Sequence, residues 1–581
     1  MSVSVGKTQP EISFGTTADS SNGSMNSADV VALLVAVSLI VGYLPVSVVP
    51  WHAPRFVALL LSLPYGLYAL TKFLRVKERA AILVCSYLVW ATVAGFLSAA
   101  PMLSIFGGLG RYSSVLTASA TAGLWAIGRQ MTPWGRNALL WTVVGSVGVS
   151  SCIAIIQLTF QPSSIMLSLE LGRPVGLAGN PIYYGAHVSA VAALFAYRYS
   201  RNLRARELIA FGCFAFFAGL SGSRVALLGV VGVAVVGSIS ARRLRAGALV
   251  PVAILAGVGA SLAHRVAGTG QSAGDRVGTS GLSERLDLWS FGVRAFLDRP
   301  VQGWGLGRFR QASQGHYSDA WVRRFPNEMS GGWPDAHNFV IEHLVATGLV
   351  GVALLLSFIY AASRHSEGPW SWMAAAVAVT WTLQPATLTT YGLAALLIGA
   401  AAPRSQLRAE EGTFRRVHGV LLLGGTALAV SYLLSDLTLN PAHANVESHA
   451  NFPVWAPWLR IDPAAANAMA TRFTPLSGNT DPDVQQFVIL WSDRATERES
   501  DLPLWWSNLA IRQVGAGDLG AARLAAERGL ELQPNHPPSL QALQIVASRI
   551  GDDELLTSTT KLLCALEIHG CDYLGSDGAP P

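Results

Sequence analysis

Apolar residues recur along the chain in blocks of about 18 to 24, the length that crosses a bilayer as a helix. The blocks lie near 30–49, 56–74, 80–100, 113–128, 138–160, 182–198, 207–222, 224–240, 247–263, 338–362, 369–385, 387–402 and 417–434. Residues 1–28 are polar, rich in Ser, Gly and Thr, with one Lys and no signal-peptide cleavage pattern, and read as a disordered tail. A long hydrophilic loop covers 264–336, and 435–581 reads as a soluble region. The pattern predicts an all-α polytopic membrane bundle of about 12–13 spans followed by a soluble helical domain. The division at Gln384-Pro385 is the least marked of the boundaries.

The polar positions between blocks set an orientation. Lys72, Arg75, Lys77 and Arg79 follow the second block, Arg129 and Arg136 the fourth, and Arg198, Arg201, Arg204 and Arg206 the sixth. Arg242, Arg243 and Arg245 follow the eighth, and Arg404, Arg408, Arg415 and Arg416 the twelfth. The alternate short loops offer single cations: Arg55, Arg111, Arg173 and Arg224. Cationic clusters stay in the cytoplasm, so the tail 1–28 is expected inside, and the loop 264–336 and residues 435–581 outside.

Composition agrees. Hydrophobic types make up 51% of 581 residues and charged types 13%, too little charge to cover a soluble protein of this length. The net charge of +6 comes from short clusters between apolar blocks, which argues for a membrane and against nucleic acid. Cys85, Cys152 and Cys213 fall in blocks. Cys564 and Cys571 lie outside, where a disulfide is permitted but its geometry is not readable.

Arg111, Arg173 and Arg224 each stand alone at the outer edge of an apolar helix pair. One such residue is explained by a snorkelling contact to lipid phosphate. Several together suit a diphosphate, because each guanidinium makes bidentate, permanently charged contacts. In the long loop, Leu286, Trp289, Val293 and Phe296 recur at helical spacing. They predict an amphipathic helix with Ser283 as its N-cap and Arg285 in its first turn. The glycine-rich run Gly303-Trp304-Gly305-Leu306-Gly307 lacks a P-loop lysine and follows no strand, so a close-packing turn is expected. Asp335-Ala336-His337-Asn338 sits at the start of a block. His337 is either a capping residue or, near several arginines, a base available at neutral pH.

Four ordered pieces carry a family resemblance: Gly176-Leu177-Ala178-Gly179-Asn180-Pro181; Ser221-Gly222-Ser223-Arg224; Arg285-Leu286-x-x-Trp289 with Pro300-x-x-Gly303-x-Gly305-x-Gly307; and His337-Asn338 running to Gly348-Leu349-Val350-Gly351. Roughly residues 100–400 resemble the O-antigen ligase and Wzy polymerase superfamily of bacterial envelope glycosyltransferases, with a GT-C-like bundle. Thr347 departs from the glutamate that many members carry before the glycine, which leaves the subfamily open. The resemblance implies an inverting transfer from an undecaprenyl-diphosphate-linked glycan at the outer face of the inner membrane. The acceptor is a glycan, a lipid-A core or a protein. It implies that Arg224 and Arg285 grip the diphosphate and that His337 acts on the acceptor hydroxyl. Arg111, Arg173, Asn180 and Asn338 are expected to help bind substrate.

The leaving diphosphate needs fixed cations and no general acid, while the acceptor hydroxyl needs a base. No cofactor or catalytic metal is expected, because the first three outer loops hold one carboxylate, Glu170. Asp481-Pro482-Asp483 has metal-binding letters but falls in the soluble region. Residues 503–536 match a tetratricopeptide unit, with a degenerate second unit from Pro537. Such repeats cap the bundle or bind a partner such as a chain-length regulator. A polymerase of exopolysaccharide or O-antigen repeats is the leading expectation, with a ligase as the alternative. A transporter or flippase fits less well, since no internal repeat is seen in the membrane part and ionisable residues are scarce within the blocks.

Overall fold

A computed structural model describes residues 25–44, 47, 51–108, 112–161, 169–170, 172–240, 244–269, 281–325, 333–364, 366, 368–384, 386–402, 414–439, 457–473 and 482–568. Among them every predicted apolar block is helical. The first ten helices are α1 (Ser27–Val41), α2 (Ala53–Arg75), α3 (Arg79–Phe96), the short α4 (Pro101–Phe106), α5 (Val115–Gln130), α6 (Pro133–Phe160), α7 (Pro181–Asn202), α8 (Ala205–Leu220), α9 (Arg224–Ser240) and α10 (Leu249–Val266). The loop contributes α11 (Gly281–Asp298), α12 (Phe309–Gln314) and α13 (Asp319–Arg324). The bundle closes with α14 (Phe339–Ser363), α15 (Pro369–Thr380), α16 (Leu388–Ala401) and α17 (Phe414–Leu439). The C-terminal region holds α18 (Pro457–Ile461), α19 (Pro463–Phe473), α20 (Pro482–Arg498), α21 (Pro503–Ala516), α22 (Leu519–Leu532), α23 (Pro537–Ile550) and α24 (Asp553–Ala565).

Among the described residues, five helical segments are long and apolar enough to cross a membrane by themselves: Ala53–Arg75, Arg79–Phe96, Pro133–Phe160, Arg245–Val266 and Phe339–Ser363. Large apolar side chains such as Val89, Phe160, Ile209 and Leu255 stand exposed on α3, α6, α8 and α10. A water-facing surface rarely shows such patches, whereas lipid tails accept them. The protein is a multi-pass membrane protein of all-α architecture. Helix α5 sits at the centre of its half of the bundle because glycines let backbones touch. A Cβ on Gly66 of α2 would come 2.5 Å from Gly123 Cα, and one on Gly128 would come 2.5 Å from the Leu396 carbonyl of α16. The boundary in 369–402 falls between Thr380 and Leu388, and Pro385 lies outside the described residues. Helix α11 begins at Gly281, so Ser283 stands within its first turn and is not its N-cap, which corrects the expectation.

Helix α14 is broken at Gly348, whose φ of 64° and ψ of −171° leave the helical region. A break at membrane depth frees backbone groups that lipid cannot satisfy. Here the carbonyls of Val345, Ala346 and Thr347 accept from Trp304 N (2.9 Å), Gly305 N (2.8 Å) and Trp90 Nε1 (2.9 Å). Leu349 N donates in turn to the Pro300 carbonyl at 2.9 Å. The glycine-rich run is therefore a close-packing turn, as expected, and its contact is this break. A Cβ on Gly303 would meet Ala346 at 2.6 Å.

The C-terminal region packs on the loop. Phe291, Phe309 and Trp321 share one core with Leu540, Leu563 and Leu566. Asn535 Nδ2 donates to Tyr317 O (3.0 Å) and Asp319 Oδ1 (2.8 Å), and Arg323 Nη1 to Ala565 O (2.9 Å). Loop and C-terminal region thus lie at the same end of the bundle. Helices α21–α22 and α23–α24 form two hairpins in a register of 34 residues, from Pro503 to Pro537. Each turns on a left-handed glycine, Gly517 or Gly551, followed by an aspartate that caps the next helix. Cys564 is disulfide-bonded, and Cys571 lies outside the described residues, as do residues 1–24 and Asp481.

Candidate active site

The broken helix α14 points its N-terminus at a cavity of about 430 Å³. Its mouth is lined by His52, Arg310, Gln311, Asp335, His337 and Asn338. Its inner wall is lined by Ala122, Leu355, Phe358, Ile359, Ala395 and Ile398. The lining takes residues from both halves of α14, Phe339, Glu342 and His343 before the break and Leu355, Phe358 and Ile359 after it. A polar mouth therefore opens onto an apolar wall.

The segment carrying His337 is fixed from several sides. Asp335 Oδ1 accepts from His337 N at 2.9 Å, an Asx turn that admits the left-handed φ of 50° at His337. The same oxygen lies 2.7 Å from His337 Nδ1. Between them, Ala336 N donates to Glu342 Oε2 (2.8 Å), and Ala336 O accepts from Trp289 Nε1 (3.0 Å). Asn338 caps α14, accepting from Val340 N (3.0 Å) and Ile341 N (3.1 Å), and its Nδ2 donates to Thr382 O (3.0 Å). The ring thus lies against a carboxylate, although its Nδ1 makes no hydrogen bond of proper geometry among the described residues. One turn deeper, His343 lies between Tyr87 OH and Tyr391 OH, each at 3.3 Å. His52 at the mouth is held down at about 4 by burial, and then by Arg55, so it stays neutral at physiological pH.

His337 and Asn338 are thus brought to one cavity, although both polar ends of the Asn338 side chain are engaged in capping and tethering. Arg224 opens α9 and Arg285 stands in the first turn of α11. Both are half-buried and neither lines this cavity. Arg173 is buried in the turn before α7, where its backbone pairs with Glu170. Burial raises the Glu170 carboxyl above its usual range, against the pull of Arg173. Asn180 caps α7, accepting from Ile182 N at 2.8 Å, and its Nδ2 donates to Glu170 Oε1 at 3.3 Å. Arg111 lies outside the described residues. Arg55 is fully buried and clamps the Gly176–Asn180 turn, donating to Leu177 O (2.7 Å) and Ala178 O (2.8 Å).

Sequence reasoning missed Asp335, Arg310 and Gln311. The Asp-x-His spacing was a usable Asx-turn signal, while nothing in the spacing of Arg310 and Gln311 marked them. Among the described residues no group of three or more His, Cys, Asp or Glu side chains could hold a metal ion.

Residues 209–356 match the sequence profile of a family described as O-antigen ligase (Wzy_C). The match runs from α8 to α14 and takes in Arg224, Arg285, His337 and Asn338. No curated protein matches the chain.

Proposed function

We propose, from the match of residues 209–356 to the family described as O-antigen ligase, that the protein is an inverting glycosyltransferase acting on an undecaprenyl-diphosphate-linked glycan. The observation that carries this reading is the cavity, with an Asp335–His337 pair at its polar mouth and an apolar wall behind it. The wall suits a polyprenyl chain, and the mouth suits the diphosphate and the sugars. His337 takes the proton of an acceptor hydroxyl as its oxygen bonds to the anomeric carbon. The bond from that carbon to the diphosphate oxygen breaks on the opposite face, and the diphosphate departs with the electron pair. Arg310 at the mouth supplies a guanidinium for the growing charge. Arg224 and Arg285 join it in this role on the strength of the resemblance, and Arg111 and Arg173 remain further candidate contacts.

Repeat polymerisation at the periplasmic face of the inner membrane is the reading we favour, with a soluble helical region of tetratricopeptide type outside. Transfer to a lipid-A core or a protein is the second reading, favoured by the family description itself. The two differ in acceptor and share the chemistry at His337. The test is purified protein with a labelled undecaprenyl-diphosphate glycan, measuring donor binding and transfer separately. His337→Ala is expected to lower transfer by about 10²–10⁴-fold, the range for a lost general base, with donor binding nearly intact. Near-normal transfer at normal expression would return His337 to the role of a loop residue.

A further inference from the structure

Helix α11 carries two apolar faces. Leu288, Phe291 and Ala295 are buried in the core shared with the C-terminal region. Leu286, Val293 and Leu297 lie on the opposite side and are 53%, 45% and 64% exposed. At 3.6 residues per turn they fall within about 40° of one another, a narrow stripe. Val301, just past the helix, is exposed as well. Trp289 and Phe296, which the sequence pattern groups with Leu286 and Val293, are instead partly buried beside the stripe.

The course of α11 decides what meets this stripe. A Cβ on Gly292 would lie 2.7 Å from Ile341 Cγ2 of α14, and Pro300 O accepts from Leu349 N at 2.9 Å. Between these two contacts each segment advances by the same number of residues. The segments therefore run side by side in one direction, and α11 descends along the first half of a membrane-spanning helix. Beyond the break, residues 349–363 rise about 22 Å, and Arg364 follows them. A hydrocarbon core is about 30 Å thick. With Arg364 at the far boundary, Leu349 lies about 8 Å inside the boundary on the loop side. Pro300, bonded to Leu349, lies at that depth too. Leu349 is exposed, so the stripe on α11 continues into the lipid-facing surface of α14.

Charge is placed to allow this. Asp298 lies about 100° round the helix from Leu297, and its Oδ2 lies 2.8 Å from His316 Nε2 of the loop. The Arg299 guanidinium lies over the Trp304 ring at 4.1 Å. Arg294 is the charge nearest the stripe, and its side chain is long enough to reach lipid phosphate.

We propose that the end of α11 enters the lipid leaflet on the loop side and that phospholipid covers its outward face. Leu297 and Val301 meet acyl chains, Val293 lies among headgroups, and Leu286 stands above them. The same helix carries Trp289, whose indole holds the Ala336 carbonyl beside His337. Lipid contact thereby braces the segment that bears His337.

The test uses full-length protein in liposomes of phosphatidylethanolamine and phosphatidylglycerol, with a nitroxide on Leu286→Cys, Val293→Cys, Leu297→Cys or Val301→Cys. Cys85, Cys152 and Cys213 are replaced by serine in this background, and labelling without reductant keeps the Cys564 disulfide. Leu524→Cys, exposed on α22, is the water-facing reference. Depth is read from access to oxygen, which dissolves in lipid, against access to a water-soluble nickel chelate. Labels at 297 and 301 should lie about 5–10 Å below the phosphates, the depth of an interfacial apolar face. The label at 286 should lie up to about 16 Å shallower than that at 297. Nickel access at 297 and 301 equal to that at 524 would mean water on this face and would overturn the proposal. Shielding from both reagents would mean a protein cover, a second copy or a partner, and would overturn it too. Equal depth at 286 and 297 would mean that α11 lies flat, against the descent. Should the serine background unfold, a benzoylphenylalanine replacing Leu297 in the parent protein decides the question. Adducts to phospholipid support the proposal, and adducts to protein, or none, overturn it. No outcome depends on the glycosyltransferase reading, since none is an activity.

Discussion

At the scale of single residues the site turns on a short polar segment held in an uncommon backbone state. His337 adopts a left-handed φ that β-substituted residues seldom take, and Asp335 supports it by accepting the His337 amide. The same carboxylate lies beside Nδ1, so one residue holds the backbone and lies against the ring. Asp335→Asn preserves an acceptor for the amide and removes the charge beside the ring. Transfer should fall, but by less than in His337→Ala, and transfer at the parent's rate would show that the charge of Asp335 is not used. His52 gives a pH signature. Its folded-state pKa of about 4 lies below the ordinary value of 6.5. Its contribution is therefore complete above about pH 6.5 and is lost as pH falls through that value toward 4. Thermal midpoints should drop across this window by the equivalent of at most about 3 kcal/mol, and the drop should shrink in His52→Gln. An identical drop in the variant would place the acid sensitivity elsewhere.

At the scale of elements the decisive feature is the break in α14. Three successive carbonyls freed there are taken up by Trp304, Gly305 and Trp90, so the N-terminal half of α14 is locked at the angle that presents its first turn to the cavity. Gly348 is needed twice over. Its φ is left-handed, and an added Cβ would lie 2.1 Å from the Val301 carbonyl. Gly348→Ala should cost about 1–2 kcal/mol for the backbone state alone, with the overlap adding to it. The thermal midpoint should fall and transfer should be lost together, whereas Gly232→Ala, which meets open space on a helix, should transfer like the parent. Normal activity in Gly348→Ala would mean that the break does not position His337. The run from Gly303 to Gly307 was readable as a close-packing turn, but its partner was not, since the two stretches are some forty residues apart in the chain. Trp289 was readable only as part of an apolar stripe, whereas its indole N–H holds the Ala336 carbonyl beside the candidate base.

At the scale of the whole molecule, the loop helices and the C-terminal hairpins share one core and one buried ion network, so they occupy the same side of the bundle. From the basic clusters in the sequence we propose that this side lies outside. Reporter fusions after Arg206, Arg245 and Arg416 should read cytoplasmic, and fusions at Gln314 and Gln533 periplasmic. The last two are bound to agree, because Asn535 bonds Tyr317 and Asp319. A cytoplasmic signal at both would invert the orientation, and opposite signals would contradict the shared core.

The sequence by itself determined the helical, membrane-spanning architecture, because the length of an apolar block and the cost of unpaired backbone in lipid are local properties. It also marked His337, since a histidine at a polar helix start is visible in one short window. The assembly of the cavity was decided by tertiary structure alone. Arg310 and Gln311 come from the loop and Asp335 and His337 from the segment leading into α14, while Glu499 of the C-terminal region holds Gln311 from behind without lining the cavity. Asn180 and Asn338 look alike in sequence as polar residues before an apolar block, and both prove to be helix caps, yet only Asn338 borders the cavity. Arg55 reads as an ordinary outer cation and is instead a buried clamp, because the carbonyls it holds belong to a turn more than a hundred residues away. No local pattern encodes such pairings, for they exist only once the helices have packed.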